Sequence, residues 1–167
     1  MTDHTDTKEH FDEILKDFDN AMLVTHDPEG ELRARPMAMA ESMSSGDLWF
    51  ATDVTSGKVE EILADPRIAI TLQGNGKYLS LTGRATVVHD RQKIRELWTP
   101  TWKAWFDDEN DPKLGLINIR AREGEFWDFS GVKKKLTFLV DAVSSIMKDG
   151  GASPPHPDPD LSAKVKL

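Results

Sequence analysis

The chain has 167 residues, with 21 basic and 29 acidic side chains, a net charge of −8, and no cysteine. That length makes one domain the default and allows a core without disulfide or metal staples. The acidic balance, lacking a basic block, argues against nucleic acid and anionic membrane as main partners, and the missing thiols exclude disulfides, thiolate metal sites and cysteine nucleophiles.

No apolar run reaches membrane-spanning length, and Met1-Thr2-Asp3-His4-Thr5-Asp6 lacks a charged-then-apolar leader, so a soluble cytoplasmic protein is expected. Residues 1–6 read as loose. A helix is predicted from Thr7 to Phe18, with Phe11, Ile14, Leu15 and Phe18 in one stripe. Ala21 to His26 reads as a strand and Asp27-Pro28-Glu29-Gly30 as a turn. A second strand, Glu31 to about Ala40, completes a hairpin. On it Arg33, Arg35, Met37 and Met39 share parity and therefore a face. The two guanidiniums are either solvated or meet an anionic partner. Pro36 cannot donate to a ladder, so the strand is an edge or is bulged there.

Asp47 to Thr52 is the third strand. It turns through Asp53-Val54-Thr55-Ser56-Gly57 into a helix starting at about Lys58. Val59, Ile62 and Leu63 form the helical stripe, Thr55 or Ser56 can cap it, and Glu60 and Glu61 sit in its opening turn. Free backbone N–H groups, hydroxyls and one ammonium thus converge, which suits a phosphate. The same pattern also serves a plain capped helix, and the turn alone leaves both readings open. It is not a nucleotide P-loop, because Gly57-Lys58 is followed by Val59.

Asp65-Pro66 ends that helix, and Arg67 to Gln73 is a fourth strand. Gly74-Asn75-Gly76 is a hairpin turn into a fifth strand, Lys77 to His89. Leu79, Leu81, Gly83, Ala85 and Val87 make one face of it; Tyr78, Ser80, Thr82, Arg84 and Thr86 make the other. Asp90 to about Trp98 reads helical until Pro100, and a further short helix holds Trp102, Trp105 and Phe106. After an acidic loop from Asp107 to Pro112 come a sixth strand, Leu114 to Arg122, a turn at Gly124, and a seventh strand, Glu125 to Phe129. Leu136 to Met147 reads as a closing helix. The divisions expected are a domain over 1–148 and a disordered Pro/Gly-rich tail over 149–167. Six to seven strands in hairpin order with inserted helices give a mainly β fold, an antiparallel barrel with α insertions. The absence of βαβ alternation and of Gly-x-Gly-x-x-Gly argues against a Rossmann fold.

None of the five histidines has metal-site spacing, and there is no Gly-x-Ser-x-Gly elbow. Asp107, Asp108, Glu109 and Asp111 read as a solvated loop. No catalytic acid, base or nucleophile is visible. Trp98, Trp102 and Trp105 cluster as core or interface residues. Trp127 alternates with Phe129 on a strand, a pattern expected where aromatics cover something.

The run FATDVTSGKVEEILADPRIAITL, Phe50 to Leu72, resembles the FMN-phosphate segment of the pyridoxamine 5′-phosphate oxidase-like family. So does the Arg33-Ala34-Arg35-Pro36-Met37 stretch. The strand from Tyr78 to Ala85 looks like the family's following strand, and Trp105-Phe106, Asp111-Pro112 and Glu125-Phe126-Trp127-Asp128 are closest to its general stress protein 26 branch. The resemblance covers residues 7–148 and implies a split β-barrel that binds flavin at a homodimer interface. By position it implies Arg35 and Lys58 on the FMN phosphate, Thr52 and Ser56 adding hydroxyls, and Pro36 and Met37 along the isoalloxazine edge. Tyr78 and Trp127 would contact flavin, partly from the second subunit, and Arg33 is a further candidate. The surplus of tryptophan also suits an interface. Two departures stand out. The family's turn often reads Arg-Lys where this chain has Gly57-Lys58, and Val132-Lys133-Lys134-Lys135 replaces the Arg-x-His of true pyridoxamine phosphate oxidases. The reading is therefore a flavin-dependent oxidoreductase without the vitamin B6 site. FMN is the expected cofactor, with FAD and F420 as alternatives. A non-catalytic flavin carrier or sensor, an F420-dependent reductase and a flavin-free barrel stand as alternative functions.

Overall fold

The computed structural model describes residues 4–42, 47–130 and 162–167. Seven strands are present among them: β1 Asn20–His26, β2 Leu32–Ser42, β3 Asp47–Asp53, β4 Arg67–Gly74, β5 Lys77–Val88, β6 Leu114–Asp128 and β7 Ser162–Lys166. Their order in the sheet is β3-β2-β1-β4-β5-β6-β7, and β3 pairs with β6 as well. That last ladder, from Asp47↔Arg120 to Asp53↔Leu114, closes β1 to β6 into a six-stranded antiparallel barrel.

Local chemistry sets the hairpins. Between β1 and β2, Asp27 Oδ1 accepts from the Glu29 and Glu31 amides at 3.1 and 2.8 Å, and Gly30 supplies the positive φ of 85°. Between β4 and β5, Asn75 and Gly76 both take positive φ, 50° and 76°, as a two-residue hairpin with the strands' own twist requires. Over Leu32 to Ala38, β2 pairs with β1 alone; it meets β3 only from Met39 onward, across a register shift between Met39 and Glu41. Pro36 therefore lies on an edge, where its missing N–H costs no ladder bond.

Alternate residues of the strands fill the barrel, with Leu23, Leu48, Phe50, Ile70, Leu81, Ile117 and Ile119 fully buried. Helix α1, His4–Leu15, closes this core with Phe11, Ile14 and Leu15. It begins and ends three residues earlier than the predicted Thr7 to Phe18, yet Phe18 is still buried beyond its end. A second cluster lies outside β3 and β6. Helix α3, Arg91–Leu97, and the 3₁₀ turn Pro100–Ala104 bring Ile94, Leu97, Trp102 and Phe106 onto Leu114 and Leu116. Leu114 to Ile119 is thus buried on both faces, which explains its largely apolar run, interrupted by the buried Asn118. Trp98 and Trp102 meet edge to face at 5.8 Å, whereas Trp105, expected in a helix beside them, is 71% exposed.

Three expectations are corrected. Residues 114–128 form one strand, not two separated by a turn at Gly124. The chain does not turn there: between Thr82 and Gly83 the register shifts, and Arg122 is the extra residue that absorbs it. Gly124 is small because a Cβ would lie 2.6 Å from the Phe11 ring. Helix α2, Gly57–Ala64, buries Val59 and Ile62 but leaves Leu63 70% exposed, since so short a helix meets the barrel along a single narrow stripe. The disordered tail expected over 149–167 ends instead in β7, which pairs with the half of β6 that β3 leaves uncovered. Its lysines oppose glutamates, Lys164 to Glu125 and Lys166 to Glu123, and the Leu167 amide donates to the Arg122 carbonyl at 3.0 Å. The predicted closing helix, Leu136 to Met147, and residues 149–161 lie outside the described residues.

Candidate functional site

The β3–α2 turn is organised by Asp53. Its Oδ1 accepts from the Thr55 amide and hydroxyl at 2.8 and 2.7 Å, and these two donors hold the carboxyl below the usual carboxylate range. Ser56 occupies the N-cap position of α2, but its hydroxyl does not cap the helix. It donates back to the Asp53 carbonyl at 2.6 Å. The amides opening α2 therefore have no side-chain cap among the described residues, a state that suits an incoming acceptor. Lys58 then folds back over the turn, its Nζ donating to Ser56 Oγ at 3.0 Å.

A second cation arrives from β2. Arg35 donates from one nitrogen to Thr25 Oγ1 at 2.5 Å and from the other to Glu61 Oε2 at 2.8 Å. Thr25, fully buried on β1, in turn donates to Glu61, so the three side chains close a triangle. Arg35 and Lys58 lie close enough to repel. Burial and then the Arg35 charge hold the Lys58 ammonium below its ordinary value, against the opposing pull of Asp53 and Glu61. Two partly buried cations facing one open helix start is an arrangement that a phosphate would relieve.

Among the residues predicted from sequence, Arg35, Ser56 and Lys58 come together here. Thr52 is buried at the end of β3 and donates to the Asp53 carbonyl at 3.3 Å. Arg33 does not join them. Its side chain is 61% exposed, and its Nε binds Asp27 Oδ2 at 2.9 Å, because that buried carboxylate needs a cation. Met37 is buried in the core, while Pro36 is exposed on the opposite face of β2. Tyr78 and Trp127 are direct neighbours across β5 and β6. They lie on the outer face of the sheet, where Tyr78 is 39% exposed and meets Phe129 edge-on at 6.1 Å. Arg35 shares the inward parity of Met37, so the aromatic pair and the cation pair occupy different faces of the barrel wall.

Thr25, Asp53 and Glu61 belong to the site and were not singled out from sequence. A hydroxyl sharing the buried parity of Ala21 and Leu23 was the available signal for Thr25. Glu61 follows Lys58 by three residues and so shares its helix face. Among the described residues no group of three or more potential metal ligands converges.

Residues 6–151 match the family described as pyridoxamine 5′-phosphate oxidase like. The chain belongs to this family. Among pyridoxamine 5′-phosphate oxidase-like structures it is similar to a putative general stress protein 26 from Jannaschia sp. CCS1. That likeness has a TM-score of 0.69 at 24% identity and covers 98% of this chain and 99% of the other. It is also similar to the general stress FMN/FAD binding protein of Xanthomonas citri, with a TM-score of 0.62 at 25% identity over 74% of this chain and 89% of that one. Protein bli-3 of Neurospora crassa is 34% identical over 113 residues, 60% of this chain and 54% of that protein. The chain thus spans about half the length of that curated relative. The barrel closed by β3 and β6 is the split barrel expected of the family. No helix among the described residues is long and apolar enough to cross a membrane.

Proposed function

We propose that this protein binds flavin, FMN first, and works as a homodimeric, cytoplasmic flavin-dependent oxidoreductase distinct from true pyridoxamine phosphate oxidases. The observation that carries the reading is the convergence of Arg35 and Lys58 on the open start of α2. A terminal phosphate fits this donor set: two cations, the Ser56 hydroxyl and uncapped amides, with Thr52 at the rim. Family membership and the FMN/FAD-binding description of the Xanthomonas citri protein support a flavin as the bearer of that phosphate. Tyr78 and Trp127, with the backbone at Pro36 and Met37, would supply apolar and aromatic surface to the ring, partly to a flavin held by a second copy. The exposed Met22 and Tyr78 on the outer sheet face support such pairing. The flavin supplies redox chemistry when bound; the chain binds its phosphate, orients it and sets the surrounding charge. The substitution of Val132-Lys133-Lys134-Lys135 for the Arg-x-His motif removes the basis for a vitamin B6 substrate.

Titrating purified apoprotein with FMN while following flavin fluorescence tests the site. Saturable binding at micromolar concentration or below is expected. Removing one charge-assisted phosphate contact in Lys58→Ala or Arg35→Ala should cost about 1.5–3 kcal/mol, roughly ten- to hundredfold in affinity. Equal binding by the variants, or none by the wild type, would sink the FMN site and turn attention to F420 or a cofactor-free barrel. Light scattering on the same sample reads the dimer. Turnover with a nicotinamide donor and an electron acceptor separates an oxidoreductase from a carrier.

A further inference from the structure

An acidic chain with net charge −8 gathers four arginines at one end of the outer sheet face. Arg67 on β4 is the direct partner of Arg84 on β5, and Arg84 is the direct partner of Arg120 on β6. Arg122, the extra residue of the β6 bulge, adds a fourth. Like charges directly opposite in a ladder destabilise it, so three in a row is an arrangement the fold alone does not favour. Arg67 is held by Asp65, with contacts at 2.5 and 2.9 Å. Among the described residues no side-chain hydrogen bond or ion pair reaches the guanidinium of Arg84, Arg120 or Arg122, although Asp47 on β3 stands opposite Arg120, and all three are exposed. Beside them lies a cavity of about 390 Å³ lined by His26, Arg67, Arg84 and Arg122, with Val24 and Leu32 on its apolar side. His26 turns its Nδ1 toward Asp65 at 3.6 Å, too far for a hydrogen bond.

We propose that this cavity is a second anion site, separate from the Arg35–Lys58 turn, for a small organic molecule bearing two or more phosphate or carboxylate groups. The arginine forks match either group in two-point fashion, and the volume falls in the range of small-molecule pockets. The apolar side gives the ligand's carbon frame a wall. A bound polyanion removes the repulsion along the row, so the cost carried by the free protein becomes binding specificity. The site stands whether or not the β3–α2 turn holds flavin, because it uses the outer face and none of the turn's residues.

Calorimetric titration of the full chain at low salt, with pyrophosphate in one arm and citrate in the other, tests it. One saturable site is expected for at least one probe, and the tighter probe assigns the group as phosphate or carboxylate. Arg84→Gln combined with Arg122→Gln should weaken it about tenfold or more, and Lys58→Ala should leave it unchanged. The ligand-free double variant should melt at or above the wild type, since it removes like-charge pairs. Arg84→Lys, which keeps the charge and loses the fork, should also bind more weakly. No saturable binding of either probe at millimolar concentration would overturn the proposal. So would equal binding by the double variant, loss in Lys58→Ala alone, or a lowered melting temperature showing that the arginines serve the fold. The FMN titration is read separately, so failure of one site leaves the other standing.

Discussion

Glu61 ties the barrel wall to the β3–α2 turn, and replacing it should separate stability from affinity for the proposed phosphate. Glu61→Gln keeps the side-chain shape and removes the charge facing Arg35 at 2.8 Å, while Thr25 retains an acceptor. Breaking a fully buried ion pair by removing one partner costs about 3–5 kcal/mol. Here the side chains keep 22% and 11% of their exposure, and the glutamine still accepts a hydrogen bond. The cost should therefore fall to about 1.5–2.5 kcal/mol, as for a charged hydrogen bond. In a domain of this size that lowers the melting temperature by about 3–10 °C. Affinity for a phosphate dianion should move the other way, because a carboxylate that competes for Arg35 and repels the anion is gone. Urea unfolding at fixed protein concentration, run as a double-mutant cycle with Arg35→Gln, measures the coupling. FMN titration of the same proteins measures the second effect. A coupling below about 0.5 kcal/mol would show the ion pair to be ornamental. An FMN affinity that falls in step with stability would show that Glu61 assists the phosphate and does not oppose it.

Lys58 gives a pH prediction. Its folded value lies below its unfolded one, so within that alkaline window the unfolded chain binds more protons, and stability rises as pH climbs through the folded value. Phosphate affinity falls across the same window as the ammonium is lost, and Lys58→Arg should abolish both trends in pH-resolved unfolding and FMN titrations. Gly83→Ala should be severely destabilising by thermal melt, because the new Cβ would lie 2.2 Å from the Arg120 carbonyl oxygen, which is backbone and cannot step aside. Gly124→Ala meets only side chains, the Phe11 ring at 2.6 Å and Leu81 at 3.2 Å, and should cost about 1–3 kcal/mol as an overpacked core does. Deleting residues 162–167 should lower the melting temperature and produce concentration-dependent association, since it bares the lower edge of β6. An unchanged melt would deny β7 a structural role.

The strands were legible because one face of each packs on the core, and alternation survives in sequence at Leu79, Leu81 and Ala85 or at Ile68, Ile70 and Leu72. The Asn75-Gly76 turn was legible because its backbone conformation admits few residues. Gly124 was misread for the converse reason: a glycine that makes room for a ring looks, in sequence, like one that makes a turn. The cation pair was half legible. Parity placed Arg33 and Arg35 on one face, but only the buried Asp27 explains why Arg33 is taken up elsewhere. Thr25 and Glu61 are brought together by tertiary packing between α2 and β1, which no local pattern encodes. The final strand was masked by the Pro/Gly-rich composition that precedes it, although Ser162-Ala163-Lys164-Val165-Lys166 carries its own alternation.

The closing ladder between β3 and β6 also dictates an order of events. Residues 47–53 wait for residues 114–120, so a chain emerging from the ribosome carries β1 to β5 with two open edges until β6 has been made. Pairings of such sequence separation slow folding, and unpaired edges in a partly made sheet are where neighbouring nascent chains join. Helix α3 and the 3₁₀ turn occupy that waiting interval in the chain, and they later cover the outer face of the strands that complete the ring. The same ladder that shapes the barrel thus places the most vulnerable moment of its synthesis between Val88 and Leu114.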